Sequence, residues 1–183
     1  MMTRIFLALR LDDMAQALLS GLGGQLAGTR PVPADQLHLT LRFIGDVDGT
    51  TFCDIREQLW ETSASPVSLT ISGVGHFPPR GRPRILWAGI EPSGELLILR
   101  NKVNRILRHC GVPPERRKFH PHITLARLMN SSPHRVAQFL SQNSRLKSMP
   151  FIVRELTLYS SVLSPKGAVH TIEEQYPLRA NKG

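Results

Sequence analysis

His38-Leu39-Thr40-Leu41-Arg42-Phe43-Ile44 alternates cleanly: Leu37, Leu39, Leu41 and Phe43 fall on one face of an extended chain, and His38, Thr40 and Arg42 on the other. That is the pattern of a strand with one polar face. Eighty-four residues later (122 − 38 = 84) comes His122-Ile123-Thr124-Leu125-Ala126-Arg127, which opens the same way. With 7 His and 10 Thr in 183 residues, chance supplies only about 0.4 His-x-Thr triplets, so two with aliphatic residues after both His and Thr form a motif.

The flanks of the two motifs match in order: apolar strand, helix, His-x-Thr strand, helix, strand. Ile5 to Leu11 reads as a buried strand, and Asp12 and Asp13 offer N-caps to a helix through about Leu26, weakened by Gly21, Gly23 and Gly24. After the first motif Asp48 can cap a helix carrying Phe52, Ile55 and Leu59, and Val67 to Val74 reads as one strand. A loop with Pro78, Pro79, Gly81 and Pro83 leads to an apolar strand, Ile85 to Ile90. Ser93 caps the clearest helix, with Leu96, Leu99, Val103, Ile106 and Cys110 on one stripe and a stop at Gly111 and Pro113. Beyond the second motif Ser132 and Pro133 open a helix, and two strands close the chain, about Phe151 to Leu163 and Val169 to Leu178. Leu7 to His38 spans 31 residues and Trp87 to His122 spans 35, so the units match in length too. The reading is an internal duplication within one bilobal domain, 1–183, with repeats of roughly 1–80 and 84–183. The fold class is α+β: two antiparallel sheets facing a central cleft, helices packed on their outer sides.

Composition fits a chain able to bury about 70% of its unfolded surface without disulfides. Only Cys53 and Cys110 are present, too few for a disulfide framework or a four-cysteine zinc site. The apolar run Ile5 to Leu9 between Arg4 and Arg10 is far short of the ~20 residues of a membrane span. These features point to a cytoplasmic, monomeric protein with no membrane association. Net charge is +9, and 18 of the 23 basic residues are Arg, whose planar forks suit phosphate. Acidic partners follow, RNA or nucleotides first; Arg80, Arg82, Arg84 and the run Arg116-Arg117-Lys118 are candidate guides.

His and Thr two apart on a strand share a face with about 6.6 Å of rise between them, close enough to touch one phosphate. Two copies across a cleft supply two imidazoles and two hydroxyls. Those are the parts for in-line displacement at phosphorus: a neutral His takes a proton from the attacking water and a protonated His gives one to the departing oxygen. Both forms coexist near neutral pH, so the reading needs no metal or cofactor. His120 and His122 could share a metal, yet no third ligand lies near them in sequence. His76, His109, His134 and His170 stand alone and read as surface or capping residues, and Trp87 reads as core.

The chain resembles the two-histidine phosphoesterase superfamily, in particular the bacterial RNA 2′,3′-cyclic phosphodiesterases historically called 2′-5′ RNA ligases, or LigT-like proteins. Four segments carry the likeness: Arg4-Ile5-Phe6-Leu7-Ala8, His38 to Val47, Pro83 to Gly89, and Phe119 to Arg127. The resemblance implies a bilobal pseudo-twofold fold and hydrolysis of 2′,3′-cyclic phosphate ends of RNA to 2′-phosphates, with weak 2′-5′ ligation. It assigns His38 as the acid serving the leaving 3′ oxygen, His122 as the base for water, Thr40, Thr124 and Arg127 to the phosphate, and Phe43 to the base. The residues alone leave acid and base exchangeable. They also leave two rivals: a non-catalytic RNA-end binding module, and a phosphoesterase of the superfamily acting on small cyclic nucleotides or 2′-5′ oligonucleotides. Arg127 and Phe43 lie an odd five residues after their histidines, so both reach the cleft only if a bend or bulge follows Thr.

Overall fold

The computed structural model describes residues 2–165 and 167–179. Its strands are β1 (Thr3–Arg10), β2 (Thr29–Pro31), β3 (His38–Val47), β4 (Val67–Leu69), β5 (Ile71–Phe77), β6 (Ile85–Ile90), β7 (His122–Leu128), β8 (Phe151–Val153), β9 (Glu155–Ser164) and β10 (Gly167–Pro177). Four helices accompany them: α1 (Asp13–Leu19), α2 (Gly49–Gln58), α3 (Gly94–His109) and α4 (Pro133–Gln142). All four expected caps form: Asp12, Asp48, Ser93 and Ser132 each accept a backbone N–H three residues on.

The large antiparallel sheet runs β10-β9-β1-β3-β7-β6-β5, with β2 also on β7, and β4 and β8 make a second, two-stranded sheet. Matching β9 with β5, β1 with β6 and β3 with β7, the six central strands read the same from either end. β10 falls outside that correspondence. The two antiparallel sheets expected from the sequence are joined edge to edge into one, β3 meeting β7 at a single residue pair, Leu39 with Ile123. The small sheet is centred on Ser68 with Ile152. Both pairs are 84 apart (123 − 39; 152 − 68), the spacing of the two histidines, so one pseudo-twofold axis relates both sheets.

The same spacing governs the local features of this segment. Caps Asp48 and Ser132 are 84 apart, as are the α2 and α4 termini. The strands expected over Val67 to Val74 and Phe151 to Leu163 are each broken once, at Thr70 and Arg154, again 84 apart. Each break passes the chain from the small sheet to the large one, a change of neighbour that leaves no mark on alternation. α1 stops at Leu19 instead of reaching Leu26, because Gly21 takes φ +80, where the helix cannot continue. On α3 the deepest fourth position is Leu107, with Ile106 and Cys110 only partly buried against the core.

A bulge in each His-x-Thr strand has the largest consequence. On β3, Thr40 and Arg42 pair with Ala8 and Leu7, leaving Leu41 extra; on β7, Thr124 and Ala126 pair with Trp87 and Leu86, leaving Leu125 extra. Alternation flips at both places, so Leu41 and Arg42 are consecutive buried residues, as are Leu125 and Ala126. Phe43 and Arg127 thereby emerge on the side of the histidines. Ala126 is buried at no electrostatic cost, whereas Arg42 must be paired. Its guanidinium bonds the Pro113 carbonyl and lies 2.9 Å from Glu115. The Arg42 side chain is only 6% exposed against 28% for Glu115, so Glu115→Ala strands a buried cation. Urea unfolding of that variant is expected to lose about 2 kcal/mol, and adding Arg42→Met is expected to restore part of it.

Candidate active site

A cleft of about 400 Å³ opens on the polar side of the two bulged strands. His38, Thr40 and Phe43 enter from β3, Thr124 and Arg127 from β7, Arg30 from β2 and His170 from β10. His122, two residues before Thr124 on β7, is not among the described residues lining this cleft; its ring lies edge-on to Phe77 at 4.9 Å and 6.3 Å from Trp87. Its charge is nonetheless felt at His38. Five of the six residues singled out in the sequence thus share one cavity, and the sixth, His122, precedes the lining residue Thr124 by two on the same strand.

The two imidazoles are held alike. His38 Nδ1 lies 2.7 Å from the Gln36 carbonyl and His122 Nδ1 lies 2.7 Å from the His120 carbonyl, each two residues back. A carbonyl can only accept, so each Nδ1 carries its hydrogen in both charge states, and Nε2 is the atom that gains or loses the proton. Packing differs. His38 is stacked on Phe6 at 5.1 Å and borders Tyr159 and His170. Burial therefore pushes its pKa down to about 4, against the opposing pull of the Gln36 carbonyl, with the charges of His170 and His122 adding to the depression. Burial also holds His122 below its ordinary 6.5, partly countered by the His120 carbonyl. Both rings rest neutral at pH 7 in the free enzyme.

No carboxylate is among the described residues lining this cavity. Arg30 and Arg127 lie directly opposite each other in the β2–β7 ladder. Like charges so placed repel, and an anion between them removes the repulsion. Of the basic loops, Arg82 bonds the carbonyl of Met129 just past β7, and the Arg84 carbonyl accepts from Leu128, so the 78–84 loop leans on the end of the strand bearing Arg127.

Two cleft residues escaped the sequence reading. His170 is no surface or capping residue: it lines the cleft against His38. Nothing in its surroundings in sequence separates it from the other lone histidines. Arg30 was missed because β2 is three residues long; the Pro31-Val32-Pro33 that follows was a usable sign of extended chain. Trp87, read as core, is half-buried beside His122 and packs flat on Gly75, where an added Cβ would meet its ring.

The family model of the 2′-5′ RNA ligase superfamily matches residues 10–164. The chain belongs to that superfamily. Among superfamily relatives, an RNA 2′,3′-cyclic phosphodiesterase of Archaeoglobus fulgidus is 33% identical over 171 residues, covering 91% of this chain and 96% of its own. A crystal structure of a Thermus thermophilus protein superposes with a TM-score of 0.78 at 28% identity, over 97% of this chain and 99% of the other. The E. coli LigT complex with 3′-AMP gives 0.76 at 25% identity, again over 97% and 99%. Within the superfamily fold the β3 and β7 motifs carry the paired imidazoles.

Proposed function

We propose that this superfamily member is an RNA 2′,3′-cyclic phosphodiesterase, opening cyclic phosphate ends to 2′-phosphates with His38 as acid and His122 as base. The observation that carries this reading is the paired tautomer lock: two histidines at equivalent places, each with Nδ1 bound to a carbonyl and Nε2 left to exchange a proton. A module that only bound RNA ends would have no need of it. The names of the curated relatives support the same chemistry.

In the forward step water oxygen bonds to phosphorus as its proton passes to His122 Nε2. The bond from phosphorus to the 3′ oxygen breaks, and that oxygen takes the proton of His38 Nε2. The products are a 3′ hydroxyl and a 2′-phosphate, with His122 protonated and His38 neutral until solvent exchange resets both. Thr40 and Thr124 hydroxyls and Arg127 hold the non-bridging oxygens where charge grows. Phe43, 42% exposed, offers a face to the base, and the Arg4 guanidinium already lies 4.8 Å from its ring centre. The same forward step with a 5′ hydroxyl in place of water, its proton passing to His122 and the 3′ oxygen taking that of His38, leaves a 2′-5′ phosphodiester and accounts for weak 2′-5′ joining.

Arg30 favours an oligonucleotide over a mononucleotide, since it presents a second guanidinium beside the one assigned to the reacting phosphate. The chain acts as a monomer of two repeats, roughly 1–80 and 84–183, in the cytoplasm; its two cysteines are free thiols. No helix among the described residues is long and apolar enough to cross a membrane.

The test is incubation with EDTA and a panel of cyclic nucleotides and cyclic-phosphate-ended oligonucleotides. Turnover to 2′-phosphates undiminished by EDTA is expected; activity lost to EDTA and restored by zinc refutes the mechanism. Apparent affinity for the oligonucleotides should fall with salt, and Arg30→Ala should flatten that slope by about 0.7 in log–log units, one phosphate contact on a single strand. Equal salt response of mononucleotide and oligonucleotide would instead support the small-nucleotide reading.

A further inference from the structure

The pseudo-twofold gives His38 and His122 the same Nδ1 partner and a threonine two residues on. The two His-x-Thr pairs by themselves do not tell one ester oxygen of a cyclic phosphate from the other; what surrounds them does. Phe43 stands on β3 where β7 has Arg127, β2 brings Arg30 to β7, and β10, which has no counterpart beyond β5, walls the cleft on the His38 side with Gly167, Ala168, Val169 and His170.

The His170 ring is held edge-on to His38, with centroids 5.6 Å apart at 84°, and edge-on to Phe6 at 4.9 Å and 75°. Its Nδ1 is buried without a hydrogen-bond partner. A buried N–H left unpaired is costlier than a buried lone pair, so the neutral ring keeps Nδ1 bare and carries its hydrogen on Nε2. That nitrogen is the one left accessible at the cleft wall, and it too has no partner among the described residues. Burial keeps the ring below the ordinary histidine pKa, which preserves this neutral donor at neutral pH. With hydrogen bonds of about 2.8 Å from each ring, one phosphate group spans two imidazoles separated this way.

We propose that His170 is a phosphate-binding residue of the active site, donating Nε2–H to a non-bridging oxygen beside His38, and that its one-sided placement selects which ester oxygen faces His38. The selected oxygen leaves, so His170, acting with the one-sided Arg127 and Phe43, biases whether a 2′- or a 3′-phosphate is produced. This rests on the cyclic-phosphate reading above. Thr40 and Thr124 are equivalent in the two repeats and grip the phosphate in either orientation; Arg127 on β7 and His170 beside His38 each act from one side.

Two variants separate this role from packing. His170→Phe keeps an aromatic ring against Phe6 and His38 but cannot donate, whereas His170→Gln keeps an N–H at similar reach. With a 2′,3′-cyclic nucleotide as substrate and the product isomers resolved by chromatography, wild type should yield one isomer. His170→Phe should raise KM at least about tenfold and release both isomers, and His170→Gln should recover most of the selectivity. Wild-type KM and isomer ratio in His170→Phe would overturn the proposal. Calorimetric titration of inorganic phosphate into wild type and His170→Phe tests the binding role apart from turnover. Affinity lost in the variant upholds that role even if wild type proves inactive on cyclic phosphates, and equal affinity refutes it.

Discussion

His38→Ala and His122→Ala are each expected to lower turnover of a cyclic-phosphate end by about 10² to 10⁴-fold while KM changes little, because each removes one proton transfer and leaves the phosphate grip in place. The double variant should lose less than the product of the two, since bond making and breaking at phosphorus lean on the two transfers together. Retained circular dichroism and melting temperature show the fold is intact; among the described residues neither histidine hydrogen-bonds any group except its own local carbonyl. Single-turnover rates within tenfold of wild type for either variant would remove that histidine from the chemistry and leave Arg127 and solvent to assist.

The pH dependence should be large and shifted to acid. For free enzyme the productive state holds one proton on the histidine pair, so kcat/KM rises as the second proton leaves near the lower apparent pKa, about 4 from His38. It falls tenfold per unit above the upper one, which for His122 lies below 6.5. The bell in kcat/KM therefore peaks between those values, and by pH 8 the rate constant is down at least about 30-fold from its plateau. His170 faces His38 and titrates below its ordinary value as well, so it adds no alkaline limb. Bound phosphate supplies the counter-charge that the free cleft lacks, which raises both histidines. The kcat bell, reporting the complex, should then lie at higher pH than the kcat/KM bell. Superimposed bells, or a kcat/KM maximum above pH 7, would contradict this account.

Sequence alone determined the two His-x-Thr strands, the helix caps and the duplicated order, because each is written in short-range alternation, cap chemistry or spacing. Asp48 and Ser132 were each legible as caps, and the structure shows them to be equivalent, 84 residues apart. What lay one residue out of step was decided by neighbours. The extra Leu41 and Leu125 are fixed by the register of β1 and β6, which turns Arg42 inward, obliges Glu115 to meet it, and brings Phe43 and Arg127 to the cleft. Thr70 and Arg154 end strands because the chain changes sheets there, a matter of partners and not of propensity. Arg30 and His170 join the site from β2 and β10, 97 and 48 residues from Arg127 and His122 (127 − 30; 170 − 122), carried there by strand pairing. Alternation reports which face a residue takes within its own strand. Which other strand's residues share that face depends on packing between distant segments, and that only the tertiary structure supplies.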